Sequence, residues 1–255
     1  MINTAFNDHI SVDCVIFGYD LKSLKVLLLE RHLHKPNGKD LIFKDLTLPG
    51  NHIRNNEDLD TAAQRILFEL TGLNDIYLEQ FAVFSDPERL ENTKDQQWLT
   101  AIGKDPKTRV ITAGYFSLIP LEKYYLKQNG NGTLPDWYGK NPRWHNLDNI
   151  GSMAFDHVRI LDSALQFLRE KIMSKPVIFE LLPEKFTASQ IQNLYEVILG
   201  KTLDKRNFRK KLANLEFVVS LNEKQVGVAH KPARYYMFSR DVYDRKKKEK
   251  FTLII

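Results

Sequence analysis

Residues 49–73, PGNHIRNNEDLDTAAQRILFELTGL, decide how the rest of the chain is read. Pro49-Gly50-Asn51 is turn chemistry, since Gly and Asn both tolerate a left-handed backbone. Asp60-Thr61 can start a helix. Apolar Ala62, Ala63, Ile66, Leu67 and Leu70 then recur at helical spacing until Thr71-Gly72 stops the run. The stretch therefore predicts a loop followed by one amphipathic helix.

The same residues resemble the Nudix box, a frame of Gly, five residues, Glu, seven residues, then R-E-U-x-E-E-x-G-U with U aliphatic. Aligned from Asn51, the frame holds at Glu57, Arg65, Leu67, Glu69, Gly72 and Leu73. It fails where Asn51 replaces the opening Gly and where Ile66 and Leu70 replace two of the three helix glutamates. A divalent cation beside a diphosphate needs several carboxylate oxygens, and one carboxylate between two aliphatic residues is a poor Mg²⁺ site. The resemblance thus implies the fold and argues against hydrolysis, with no catalytic residue, metal or cofactor expected. Arg65 and Glu69 are expected to brace the box loop; as a plain i,i+4 surface pair they would contribute only a few tenths of a kcal/mol.

The chain of 255 residues suits one large or two modest domains, and 43% apolar with 27% charged residues is a composition that can bury a core. The single Cys14, inside the apolar run VDCVIF, excludes a disulfide framework and reads as a buried inert thiol in a reducing compartment. No apolar stretch approaches a membrane span, and the N-terminus lacks a secretory pattern, so a cytoplasmic protein is expected. Charge is unevenly placed. Residues 175–255 carry 17 Lys and Arg against 9 Asp and Glu, whereas residues 1–174 carry 20 against 23. A basic half joined to an acidic half suggests one module for nucleic acid and another for a different task. The RKKKEK run at 245–250 supplies part of the excess and could equally be a solvated tail.

Residues 10–19 and 24–30 predict a strand pair, and 31–48 a loop whose His32 and His34 lack further metal ligands at suitable spacing. Residues 76–84 and 109–120 predict strands on either side of a polar loop at 85–95. Residues 122–142, rich in Gly and Pro, predict a loop. Trp144 marks another strand, and 154–173 a closing helix with Ile160, Leu161, Leu165 and Leu168 inward. The sequence order LLLER, LPGNHI, EDLDTAA, LFELTGL, LEQFAVFSDPER, RVITAGYFSLI and FDHVRIL resembles the Nudix-related transcriptional regulators of bacteria. This resemblance covers most of the chain and implies an α/β/α Nudix sandwich over 1–174 with a winged helix-turn-helix over 175–255.

Three helical segments are predicted beyond Ser174-Lys175-Pro176: a short one at 177–182, one capped by Thr187 and ending at Gly200, and one capped by Asp204. The third turns Phe208, Leu212 and Leu215 inward and Lys205, Arg206, Arg209 and Lys210 outward; residues 217–221 and 233–239 form an antiparallel pair. A helix fits the major groove, where Arg and Lys contact phosphates and guanine acceptors. Asn207 is a candidate adenine reader, and His230, Lys231 and Arg234 are candidate backbone contacts. A basic solvated face is the competing reading.

The resemblance implies a homodimer on a palindromic operator of a sugar-utilisation or cofactor-metabolism operon, with a small molecule in the Nudix pocket controlling DNA binding; family members sense ADP-ribose or related nucleotides, and a sugar-utilisation branch senses a pentose such as L-arabinose. A box without two of its carboxylates fits a ligand that needs no metal, which favours the sugar branch. Candidate effector contacts are Asp86 and Arg89 in the polar loop, Arg109 at a strand entrance and Tyr115 along that strand. Two alternatives stand beside this. A Nudix hydrolase of ADP-ribose-like compounds would recruit Glu57, Asp58 or Asp60 beside Glu69, and a non-DNA interaction protein would use the basic half on RNA or an acidic partner.

Overall fold

The computed structural model describes residues 5–35, 40–121, 140–227, 229 and 231–246. The chain packs as two compact units: one holds the large sheet and its helices up to Ala164, the other runs from Leu165 onward and includes the Gly18–Leu24 turn. The described helices contain none long and apolar enough to cross a membrane.

The first unit is organised on β1 (Phe6–Tyr19), whose second half is buried from Val12 to Tyr19 with Asp13 as its one charged interruption. Strands β2 (Leu24–His34), β3 (Leu41–Thr47), β5 (Glu79–Phe84) and β6 (Ile111–Pro120) complete a sheet of order β3-β2-β1-β6-β5. Two further strands branch from it, β4 (Gly50–Arg54) on β1 and β7 (Lys140–Asn146) on β2, both antiparallel. Two predicted loops are therefore strands. Residues 41–47 pair antiparallel with β2, from Leu29 opposite Thr47 to His34 opposite Leu41, and residues 50–54 pair with β1. Both are short or edge strands with half-exposed side chains, so neither shows the alternation by which a strand is recognised.

Helix α1 (Leu59–Thr71) begins one residue ahead of the predicted Asp60-Thr61 start. Asp58 is its N-cap, accepting from the Thr61 N–H at 2.8 Å, and Gly72 ends it in the left-handed region at φ 75°. Ala62, Ala63, Ile66, Leu67 and Leu70 are its buried face, each large aliphatic side chain contributing roughly 1.5–3 kcal/mol. Helix α2 (Thr93–Ala101), capped by Asn92, begins inside the predicted polar loop at 85–95 and runs on through a stretch for which no element was predicted. Its buried residues are only Asp95 and Trp98, too few to mark a helical face in sequence. Helix α3 (His157–Ser174) is the predicted closing helix, three residues shorter at its start.

The second unit is a winged helix. A 3-10 turn over Pro176–Leu181 stands where the first helical segment was expected, because Pro176 and Pro183 leave room for little more than one turn. β8 (Phe186–Thr187) leads into α4 (Ala188–Leu199), which opens with a full capping box between Thr187 and Gln190 and closes at Gly200, φ 66°. α5 (Lys205–Ala213) follows, capped by Asp204. β9 (Val218–Lys224) and β10 (Arg234–Phe238) form the antiparallel wing, with β8 on the outer edge of β10. Phe179 stacks on Phe238 at 4.5 Å, and the unpredicted α6 (Arg240–Lys246) adds Tyr243 against Phe217 at 5.5 Å. Thr187→Ala removes one half of the capping box and should lower stability by about 1 kcal/mol, measured by urea unfolding of the full chain.

Candidate functional site

The loop of the Nudix-like stretch is held by one arginine. Arg65 donates to Glu57 through Nε at 2.9 Å and Nη2 at 2.5 Å, to Glu69 through Nη1 at 3.0 Å, and to the His52 carbonyl at 3.3 Å. Arg54 donates its backbone N–H to Glu57 at 2.7 Å and its Nη2 to Glu69 at 3.0 Å. Burial opposes ionisation of Glu57, but the Arg65 guanidinium and the Arg54 N–H hold its carboxyl below the usual range. Both carboxylates that the box retains are thus engaged by arginines. Ile66 and Leu70, at the positions of the missing glutamates, are buried in the core. Among the described residues no group of three His, Cys, Asp or Glu is placed to hold a metal ion.

Beside this loop lies a cavity of about 550 Å³ inside the first unit. One wall carries Asp13, Arg89, Thr112 and His157; another carries Arg31, Trp98 and Phe155; Phe6, His52, Arg54, Glu69 and Lys104 line a third stretch. Arg89 is buried and makes a two-point contact with Asp156, at 2.6 and 3.0 Å, while its Nη1 donates to the Thr112 hydroxyl and the Phe84 carbonyl. Arg31 makes a similar two-point contact with Asp45, at 2.9 and 2.7 Å, and its guanidinium carbon lies 4.8 Å from each of the Trp98 and Phe155 ring centres.

Asp13 sits on Gly50, its partner in the β1–β4 register, so closely that a Cβ there would lie 1.7 Å from the carboxylate oxygen. The Leu48 N–H donates to His157 Nδ1 at 3.0 Å, which leaves the ring proton on Nε2, 3.5 Å from Asp13. Burial pushes the Asp13 carboxyl up to about 7, with Asp156 adding to burial and Arg89 opposing it. Burial also pushes His157 down to about 3, assisted by the charges of Arg89 and Arg31. At neutral pH the pair therefore faces the cavity as a neutral imidazole beside a carboxyl that burial holds well above the usual carboxylate range.

Of the four candidate effector residues, Arg89 lines the cavity and the other three do not. Asp86 is exposed, pairs with Arg159 at 3.2 Å and caps the turn at Glu88. Arg109 donates to the Ser85 carbonyl at 3.2 Å, and the Tyr115 hydroxyl donates to Asp60. Sequence reasoning missed Asp13, Arg31, Trp98, Phe155 and His157. The available signal was a charged residue inside or ending an apolar strand run, as at Asp13 in VDCVIF and Arg31 after LLLE.

In the second unit α5 buries Phe208 and Leu212 and exposes Lys205, Arg206, Asn207, Arg209 and Lys210 on one surface. Among the described residues these four cations have no ion-pair partner within 4.0 Å; the Asn207 N–H is taken by the Asp204 cap. Lys231 and Arg234 are exposed on the wing, where Arg234 reaches the Ser220 hydroxyl at 3.4 Å. His230 lies outside the described residues.

The buried pair generates a pH prediction. Between pH 3.8 and about 7 unfolded Asp13 has lost a proton that folded Asp13 keeps, so its contribution to stability falls as pH rises. Between about pH 3 and 6.5 unfolded His157 binds a proton that the folded residue refuses, so its contribution rises with pH. Over the shared window, 3.8 to 6.5, the two slopes oppose. Relative to the unsubstituted chain, His157→Gln should lose stability with rising pH in that window and Asp13→Asn should gain it, each by up to about 1.4 kcal/mol per pH unit in urea unfolding.

Two family models match the sequence: the NUDIX domain over residues 7–162 and the NrtR DNA-binding winged helix domain over residues 178–238. The chain is similar to the "ADPR responsive transcriptional repressor NtrR" of Acinetobacter baylyi, 27% identical over 238 residues, which cover 92% of this chain and 83% of that protein. It is also similar to Shewanella oneidensis NrtR in crystals with a 27mer DNA, at 25% identity and a TM-score of 0.64 over 92% of this chain and 95% of the other. A MutT/nudix family protein from Enterococcus faecalis shares the fold, with a TM-score of 0.64 at 22% identity over 94% of this chain and 89% of the other. The chain belongs to the Nudix family, in the NrtR arrangement of a Nudix domain followed by a C-terminal winged helix domain.

Proposed function

We propose that this protein is a cytoplasmic transcriptional repressor that binds operator DNA as a homodimer through α5 and its wing, and that an ADP-ribose-like nucleotide in the Nudix cavity controls that binding. The observation that carries it is the pairing, in one chain, of an NrtR-type winged helix with a nucleotide-sized cavity lined by arginines and aromatic rings. The domains divide near Ser174-Lys175-Pro176. A volume of about 550 Å³ favours a nucleotide over a pentose, which would leave most of the space to water. On this reading the regulated genes belong to nucleotide or cofactor metabolism rather than to arabinose use.

We further propose that the Nudix domain binds its effector without hydrolysing it. Ile66 and Leu70 point into the core, and Glu57 and Glu69 are tied to Arg65 and Arg54. The carboxylates that the hydrolase reading would recruit are engaged elsewhere, Asp58 as the α1 cap and Asp60 with the Tyr115 hydroxyl. Incubation with ADP-ribose and Mg²⁺ should release no AMP; release at an enzymatic rate would restore the hydrolase reading.

The DNA side is tested by gel shift with the protein's own upstream sequence. Specific binding should weaken as ADP-ribose is added. Arg209→Ala should cost about 1–3 kcal/mol of operator affinity and flatten the salt dependence by about one ion, with the unfolding midpoint unchanged. Binding indifferent to DNA sequence, in the native chain, would favour the non-DNA partner instead.

A further inference from the structure

The cavity wall made by β1 and β4 carries a carboxyl that the fold leaves without a hydrogen bond. Ser11 and Asp13 stand two residues apart on β1 and so share one face of the strand. They lie opposite His52 and Gly50 of β4, and all four residues line the cavity. Asp13 accepts no hydrogen bond among the described residues, and His157 Nε2 stands 3.5 Å off. Its side chain keeps 9% of its surface, and neither oxygen is sealed inside the protein. Gly50, its neighbour in the register, has no side chain to cover it, since a Cβ there would lie 1.7 Å from Oδ1. The open surface of the carboxyl therefore belongs to the cavity. A carboxyl nine-tenths buried and lacking a donor marks a place where a donor belongs.

Two hydroxyls on the same wall narrow what that donor is. Ser11 Oγ and Thr112 Oγ1 are 2.6 Å apart, and Thr112 also accepts from Arg89 Nη1. With a lone pair already held by a guanidinium, Thr112 is the better donor of the two, so its proton goes to Ser11 Oγ. The Ser11 proton is then free to turn into the cavity. The wall thus offers an acceptor at Asp13 and a donor at Ser11 on one strand face. A vicinal diol matches both, one hydroxyl donating and the other accepting. An amino group would satisfy Asp13 alone. A phosphate brings Asp13 no proton, and Arg89 beside this wall is already held at two points by Asp156.

Phosphates have another place in the cavity. Arg54 and Lys104 line it with side-chain exposures of 34% and 37%, and their carboxylate partners Glu69 and Asp8 are also partly exposed. Such solvated pairs are weak and exchange a carboxylate for a phosphate readily.

We propose that Asp13 and Ser11 form the ribose-reading subsite of the cavity: the Asp13 carboxylate accepts from one hydroxyl of a ribose diol, and Ser11 donates to the other. This rests on the nucleotide-effector reading above and adds the part of the ligand that the β1 wall selects. It also makes binding proton-linked. In the free protein burial holds the Asp13 carboxyl up at about 7, with Asp156 adding to burial and Arg89 opposing it. His157 on α3 is neutral there, and the Cys14 thiol next along β1 is pushed far up. A donated hydroxyl favours the ionised carboxylate, so binding releases a proton and affinity falls as pH is lowered below about 7. On β4, burial and the charge of Lys104 hold His52 down, and a phosphate near it would draw a proton in, which is the opposite sign. ADP-ribose carries no group of its own that titrates near neutral pH.

The test is calorimetric titration of the full chain in two buffers of different ionisation enthalpy. The ligands are ADP-ribose and two analogues, each lacking the 2- and 3-hydroxyls of one ribose. One of the two should bind about tenfold more weakly than ADP-ribose, the effect of one hydrogen bond to a charged acceptor. That analogue should also release fewer protons, since it keeps the phosphates but not the diol. Which analogue is weakened tells whether the adenosine ribose or the terminal ribose lies on Asp13. Asp13→Asn keeps the shape and an acceptor oxygen without the charge; it should bind ADP-ribose about tenfold more weakly and lose the extra proton release. The proposal is overturned if both analogues bind the native chain as ADP-ribose does, or if all three ligands exchange protons equally. It is also overturned if Asp13→Asn exchanges protons with ADP-ribose as the native chain does. The analogue comparisons need no variant, so they decide the matter even if Asp13→Asn does not fold. A native chain that binds no ADP-ribose overturns the effector reading and this one together, whereas equal binding of all three ligands overturns this one alone.

Discussion

A guanidinium can remain charged inside a protein only if carboxylates go in with it, and three arginines impose that condition on the Nudix unit. Arg31 draws together β2, β3 and α2 through Asp45 and Asp95. Arg89 ties the turn after β5 to Asp156 at the head of α3, and Arg65 ties the loop before α1 to the helix itself through Glu57 and Glu69. Removing one member of such a pair typically costs 3–5 kcal/mol, because the other charge is left desolvated and alone. The three arginines join segments far apart in sequence, and two of them, Arg31 and Arg89, line the cavity.

The same condition accounts for the fate of the Nudix box. A metal-binding box keeps a bank of carboxylates free for cations. Here the bank is reduced to Glu57 and Glu69, each paired with guanidinium groups, while Ile66 and Leu70 add apolar area to the α1 core. The frame survives because Arg65 still needs its two carboxylates to fix the loop, and because Gly72 is still required at the left-handed end of the helix. A structural requirement at the loop and at the helix end is enough to keep half of the frame.

Elements with their own periodicity or caps were legible in the sequence: α1, α4 and α5 by their apolar spacing and by Gly72, Thr187, Gly200 and Asp204, and β1, β2 and β6 by their apolar runs. β3, β4 and α2 were not, because their identity comes from partners. β4 is a strand only because β1 lies beside it, and α2 is anchored by Asp95 under Arg31 rather than by an apolar face. The site was less legible for the same reason. Asp86, polar in a polar context, caps a local turn and Arg109 reaches the Ser85 carbonyl, whereas Asp13 and His157 acquire their character from burial against Arg89, Arg31 and Gly50. Arg89 was singled out because a cation in a polar loop is conspicuous; that its side chain would be buried beside the cavity was not visible.

Control by an effector requires that the ligand bind two arrangements of the protein unequally. On the reading proposed here, the buried arginine pairs cannot supply that difference, since breaking either would cost more than a ligand contact returns. The exposed pairs can. A phosphate that takes Arg54 from Glu69 leaves that carboxylate to Arg65 alone, and one that takes Lys104 from Asp8 frees the start of β1 from the turn after α2. Both changes are local, inexpensive and confined to the segments around the cavity. The response to a charged effector should therefore begin in the box loop and at the head of β1, with the core around Arg31 and Arg89 serving as the fixed frame against which those segments move.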